Sequence, residues 1–231
     1  MQRPSIIDNR PAEPVTVDRS FAKSRRIFSK NLLREVRTRS KGSGWRLNSN
    51  TLFKQIDGLF VCLRVISFLN ADHTSVLIEL KPMEVDSILW QALGLEDNER
   101  QPLSFRASAA FQCWASIAGA VEISDANQAS DTADLIVKHA CTRAQSAAKT
   151  VGSTPFSVWL EGLMDEGPDT RPPHSALLVC AMIADRRIDD ARTKIDQVLE
   201  RPSLHHGIVM QTGVRSTHYL ESLKASLSAI A

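Results

Sequence analysis

The stretch LFVCLRVISFLNADHTSVLIELKP, residues 59–82, decides the fold. Its β-branched and aromatic content predicts one long strand over Leu59 to Phe68 and a second over Thr74 to Lys81. Asn70-Ala71-Asp72-His73 turns the chain between them, and Pro82 ends the second strand or places it at an edge. With the bend centred on Ala71-Asp72, Glu79 faces Arg64, Lys81 faces Cys62 and Leu77 faces Ile66. Side chains alternate along a strand, so Leu59, Val61, Leu63 and Val65 share a face with Val76, Ile78 and Leu80. That face is expected to pack against a helix. The other face carries Phe60, Cys62, Arg64, Ile66 and Phe68 with Leu77, Glu79 and Lys81. It is apolar with a few charges, and is expected to be covered by the helical half of the chain or by a partner.

Working outward, Asp57-Gly58 is a hairpin turn signal that joins this pair to a strand over Thr51 to Ile56. A short strand at Trp45 to Leu47 precedes it. Upstream, Ser20 starts a helix to about Thr38, with Phe21, Phe28, Leu32 and Val36 on one face, and Lys41-Gly42-Ser43-Gly44 stops it. Residues 1–18 hold three prolines and little apolar material, which reads as a flexible arm. Downstream, Glu84 to Leu93 is a short helix closed by Gly94. Leu95 to Pro102 is a polar loop, and Leu103 to Ile123 is ambiguous between strand and helix. From Ser124 the pattern is helical: Ala126 to Lys149, Pro155 to Met164, Ser175 to Ala184, Ile188 to Leu199 and Thr217 to Ala231. Asp165 to Pro173 is a Pro- and Gly-rich loop. The expected class is α+β, an N-terminal helix on a small antiparallel sheet (19–123) followed by an all-helical region of hairpins (124–231). The pair 175–199 has the look of a tetratricopeptide-type hairpin, but a single copy makes no solenoid.

The chain of 231 residues is 43% hydrophobic and 23% charged, as in ordinary globular proteins. A net charge of +2 creates no global field that demands an anionic partner. The basic residues are nevertheless concentrated between Arg19 and Arg46, where Glu35 is the sole acid. The four cysteines, Cys62, Cys113, Cys141 and Cys180, form no CxxC and sit among apolar neighbours, as reduced core thiols do. No apolar run reaches spanning length and the N-terminus is too polar for a signal peptide. A cytoplasmic protein without membrane contact is expected.

Glu79-Leu80-Lys81 on a strand, with Asp57 upstream, resembles the metal-binding strand of restriction-type nucleases. There an Asp and the Glu hold Mg²⁺ while the Lys positions the attacking water. In the register above, Asp57 lies roughly 23 Å from Glu79 along the hairpin. Carboxylates sharing one Mg²⁺ must each approach within about 2.0–2.1 Å of it. The preferred expectation is therefore a cross-strand Arg64–Glu79 ion pair, with the Asp57, Glu79 and Lys81 nuclease as the alternative. His205-His206 with His218 lacks a recognised metal-ligand spacing, and His139 and Cys141, two apart on a helix, do not face each other. No metal or cofactor is expected. The basic first helix offers Arg25, Arg26, Lys30 and Arg37 to a nucleic-acid backbone, against the plainer reading of a solvated face.

The order of elements carries one further resemblance. Gly44, Trp45, Phe53, Pro82, Asp86, Trp90, Asn98, Pro102, Leu103, Ser104 and Arg106 match a pattern similar to an uncharacterised bacterial family, domain of unknown function 4304, over about residues 20–115. Trp45 stands where that pattern usually has Phe. The resemblance implies an α+β domain without assigned catalytic residues, in accessory, immunity- or defence-associated settings. Trp90 is then a packing residue. Asp86 and Arg106 pair to fix the loop between them, or Arg106 binds an anionic partner group. The leading expectation is a non-enzymatic binding protein with a protein partner at Phe60, Arg64, Ile66, Phe68 and Arg106.

Overall fold

The computed structural model describes residues 19–108, 112–125, 128–165, 175–200 and 218–229. The expected arm at 1–18 and the loop before Ser175 lie outside the described residues, apart from Asp165, which ends a helix. The class is α+β as expected. The elements run α1 (Arg19–Arg39), β1 (Arg46–Asn48), β2 (Thr51–Ile56), β3 (Leu59–Ser67), β4 (His73–Pro82), α2 (Met83–Ala92), a 3₁₀ turn (Glu96–Arg100), α3 (Phe105–Ser108) and β5 (Ser116–Ser124). Then follow α4 (Ala129–Leu135), a π-helical segment (Ile136–Ala140), α5 (Cys141–Val151), α6 (Phe156–Asp165), α7 (Ser175–Ala184), α8 (Ile188–Glu200) and α9 (His218–Ala229).

The five strands form one antiparallel sheet in sequence order, β1-β2-β3-β4-β5. Asp57 (φ 47°) and Gly58 (φ 81°) both take positive φ in the β2–β3 turn. That is the backbone a two-residue hairpin of primed type needs, and it explains the Asp-Gly pair. The β3–β4 register differs from expectation. Cys62 pairs with Glu79, Phe60 with Lys81 and Arg64 with Leu77. The bend therefore centres one residue earlier, on Asn70-Ala71. Moving a bend by one residue slides the partners by two, and two is the period of the side chains. The faces are consequently those expected while every individual pairing changes. The ambiguous stretch 103–123 resolves into a helical turn, an extended segment and β5, with a register irregularity opposite Ile78 and Glu79.

One face of the sheet is the main core. Leu63, Val65, Val76, Ile78, Leu80, Val121 and Ile123 pack with Leu32 and Val36 of α1 and with Ile136, Ala140 and Ala144 of the long helical segment. Ile136, Ala140, Ala144 and Ala148 recur every fourth residue and are all buried. In a regular α-helix such a row drifts by about 40° per step. The wider π turn between Ile136 and Ala140 holds the row over the sheet. The same core continues through Val85 and Leu89 of α2 into α7, α8 and α9. Helix α7 is buried at seven successive positions, Ala176 to Met182. Asp185 Oδ2 accepts from the Ser157 amide (2.8 Å), which caps the start of α6 from the far end of α7. No described helix is long and apolar enough to cross a membrane.

Among the described residues, the second face of the sheet is closed at one end. Phe53, Phe60 and Cys62 form a small cluster under Met83, Leu103, Ala107 and Ala115. The cover is thus the β4–β5 crossover and not the helical half.

Candidate functional site

Beneath that crossover lies a buried charge network. Lys81, fully buried, donates from Nζ to Asp86 Oδ1 (2.9 Å), to the Cys113 carbonyl (2.6 Å) and to Gln112 Oε1 (3.3 Å). Arg106 donates from Nη1 to Asp86 Oδ2 (2.9 Å) and to the Met83 carbonyl (2.8 Å). The Cys113 amide donates to Asp86 Oδ1 (2.9 Å). Two cations thus share one carboxylate, and aromatic rings help to hold the surplus charge. The Lys81 ammonium lies 5.4 Å from the Phe60 ring centre and the Arg106 guanidinium 4.6 Å from that of Trp90. The alternation of β4 turns Lys81 under the crossover, and Asp86, one turn into α2, meets it there. The network ties the two ends of the crossover to the sheet, so the expected Asp86–Arg106 pair is present with Lys81 as a third member.

Glu79 is separately committed. Arg64 donates to its Oε2 from Nη2 (3.0 Å) and Nε (3.3 Å), and the Cys62 thiol points at the same oxygen (3.4 Å). The expected Arg64–Glu79 pair is therefore present, as a diagonal contact in which Arg64 lies two residues along β3 from Cys62, the direct partner of Glu79. With Arg64 46% exposed, it belongs to the ~0.2–1 kcal/mol class. Burial, and then the Glu79 charge, pushes the Cys62 thiol far above its ordinary range.

Asp57, Glu79 and Lys81, the residues of the nuclease alternative, are held apart from one another. Asp57 sits in the β2–β3 turn, while Glu79 lies opposite Cys62, about 17 Å along the strand. Lys81 is spent on Asp86, and no group of three potential ligands converges among the described residues. Of the histidines, His73 packs against the Phe68 ring (5.0 Å) and His139 is exposed while Cys141 is buried. His174, His205 and His206 lie outside the described residues.

The other predicted residues divide between open and closed surroundings. Phe60 (1% exposed) and Arg106 (9%) are interior, which removes both from an accessible binding face. Arg64, Ile66 and Phe68 remain exposed or half-exposed. They stand with Leu77 and β5. The register places Arg64, Leu77 and Ala120 in one row across the sheet, and Ile66, Ser75 and Glu122 in the next. On α1, Arg26, Lys30 and Arg37 are exposed but Arg25 is buried. Arg25 forms an ion pair with Asp125 Oδ2, donates to the carbonyls of Phe68 (3.0 Å) and His73 (3.3 Å), and lies over the Phe28 ring. It fastens α1 to the β3–β4 turn, so its assignment to nucleic-acid contact is corrected.

A cleft of about 360 Å³ opens between α6, α7 and α8, lined by Glu161, Leu178, Met182, Arg187, Asp190 and Lys194 among others. Its charges neutralise one another. Arg187 donates to Glu161 Oε2 (2.7 Å), Asp190 Oδ2 (2.7 Å) and Ser157 Oγ (2.9 Å), and Glu161 foremost raises the Arg187 pKa further.

No protein-family model matches this sequence, and neither the curated proteins nor the solved structures yield a match.

Proposed function

We propose that this is a non-enzymatic binding protein that works by protein–protein contact through the open end of the second sheet face. The observation that carries the reading is the division of that face. At one end Lys81 and Glu79, the charges best placed for chemistry, are held in internal ion pairs. At the other, Arg64, Ile66, Leu77, Ala120 and Glu122 of the two rows Arg64-Leu77-Ala120 and Ile66-Ser75-Glu122 are exposed or half-exposed, with Ser75 buried between Ile66 and Glu122. Ile66 and Leu77 supply an apolar centre, and Arg64 and Glu122 flank it with opposite signs. Apolar centres with a polar rim are how protein interfaces are built. The complementary partner is a protein surface with its own apolar centre and both charges. An accessory role of the immunity or defence kind is consistent with such a surface.

The test uses the tagged full chain expressed in its own cells and quantitative affinity purification. Leu77→Asp and Ile66→Asp should each lower recovery of one stoichiometric protein at least tenfold. A control, Val158→Asp on the exposed side of α6, should leave recovery unchanged, with circular dichroism confirming the fold of all three. Equal recovery with the sheet variants and the control would remove the reading.

A further inference from the structure

We propose that the outer face of α1 is a second docking site, one that takes the sugar–phosphate backbone of a nucleic-acid duplex without reading its sequence. Arg19, Lys23, Arg26, Lys30, Arg34 and Arg37 recur at intervals of three and four residues, and all six are exposed. At 3.6 residues per turn they fall within an arc of about 80°, along a line of about 27 Å. The buried side of the same helix, Arg25, Leu32 and Val36, is turned well away from that arc. Apart from an outlying approach of Arg34 to Glu35 (3.7 Å), none of the six meets a carboxylate among the described residues. Glu35, the sole acid of α1, is drawn to Arg39 (2.5 Å) on another side.

Like charges three and four residues apart destabilise a helix, so a merely solvated face interleaves acids with bases. Helix α8 does so: Arg192 pairs with Asp189 (3.6 Å), and Arg187, just before the helix, pairs with Asp190 (2.7 Å). Helix α1 does not. Of the 28 basic and 26 acidic residues of the chain, nine basic and one acidic fall between Arg19 and Lys41. The remainder is therefore acidic by six, and the near-neutral total conceals a segregated field. A row of cations about 5 Å apart suits a duplex, which presents about one phosphate per 1.7 Å of axis. An anionic membrane is the weaker fit. Interfacial helices insert a continuous apolar face, whereas Leu32 and Val36 of α1 are wholly enclosed by the core and its exposed apolar side chains, Phe21 and Ile27, lie about 120° apart around the helix. The ridge carries Arg and Lys without Asn or Gln in the row, which favours backbone contact over base readout.

The experiment is fluorescence anisotropy with the full chain and a labelled 20-base-pair duplex of random sequence, from 50 to 250 mM NaCl. Binding should show a slope of log K against log [NaCl] of about −4 to −5 if five phosphates are neutralised. The triple variant R26A/K30A/R37A should bind at least tenfold more weakly at 50 mM, with the slope shallower by about 3. K138A/R143A/K149A removes equal charge from exposed positions on the helical region and should bind within about twofold of wild type. No binding to the duplex, or equal weakening by both triples, overturns the proposal. Binding to phosphatidylserine vesicles in preference to DNA and RNA duplexes overturns it in favour of a membrane. Because these positions lie on α1 and not on the open sheet face, failure here is distinguishable from failure of the protein-contact reading.

Discussion

Asp86 accepts from two cations and a backbone amide while shielded from water. Removing a carboxylate from such a site leaves Lys81 and Arg106 as uncompensated buried charges, which costs about 3–5 kcal/mol. Asp86→Ala should therefore lower the unfolding free energy from urea titration by that much, seen as a lower midpoint at unchanged m-value, and a loss below about 1 kcal/mol would contradict the network's structural role. Lys81→Met should cost less, because Asp86 keeps Arg106. The thiols supply a pH dependence. Burial pushes Cys141 up from its ordinary 9.0 to about 11, and moves Cys62 and Tyr219 in the same direction. Above pH 9 the unfolded chain releases protons that the folded chain still holds. Their stabilisation is thus complete below pH 9 and declines as pH rises towards 11. Urea midpoints at pH 7.5, 9 and 10.5 should fall in that order, and the double variant C62A/C141A should show a shallower fall. An identical slope in the variant would show that other groups govern the alkaline loss.

At the level of the elements, most of the architecture was legible. Helices α1, α2, α6, α7 and α8 begin and end within about two residues of where caps, glycines and 3.6-residue periodicity put them. Strands β2, β3 and β4 follow their β-branched runs. Two features were not legible. The β3–β4 bend lies in a polar loop where neighbouring centres have equal turn chemistry, so the register was free to differ by two while the core face stayed the same. Strand β5 begins in an apolar run without alternation, and only its neighbour β4 makes it a strand. Helical spacing puts Phe21 in the apolar stripe of α1, yet Phe21 is exposed and Arg25 takes an interior place. A long cationic side chain can do so when carbonyls and an acid await it, and its own helix gives no sign of them.

Across the whole molecule a single cluster of buried side chains runs from Leu32 through the sheet and α2 to Leu223 and Leu227 of α9. Buried residues on both sides of the boundary expected near residue 123 belong to this cluster. Unfolding should accordingly be one cooperative transition. Single-tryptophan variants reporting from Trp45 or Trp90 in the first half and Trp159 in the second should give the same urea midpoint as far-ultraviolet circular dichroism. Two separated midpoints would divide the molecule into independent halves. The composition of the chain already implied where apolar periodicity puts helices and strands and which residues share a face, because those patterns are set within a few residues by backbone geometry. Which charges reach solvent was settled by segments distant in the chain. Arg25 is consumed by Asp125, and Lys81 by Asp86 together with Gln112 and Cys113. A charge is exposed or spent according to what the folded chain brings beside it, and local spacing carries no record of that.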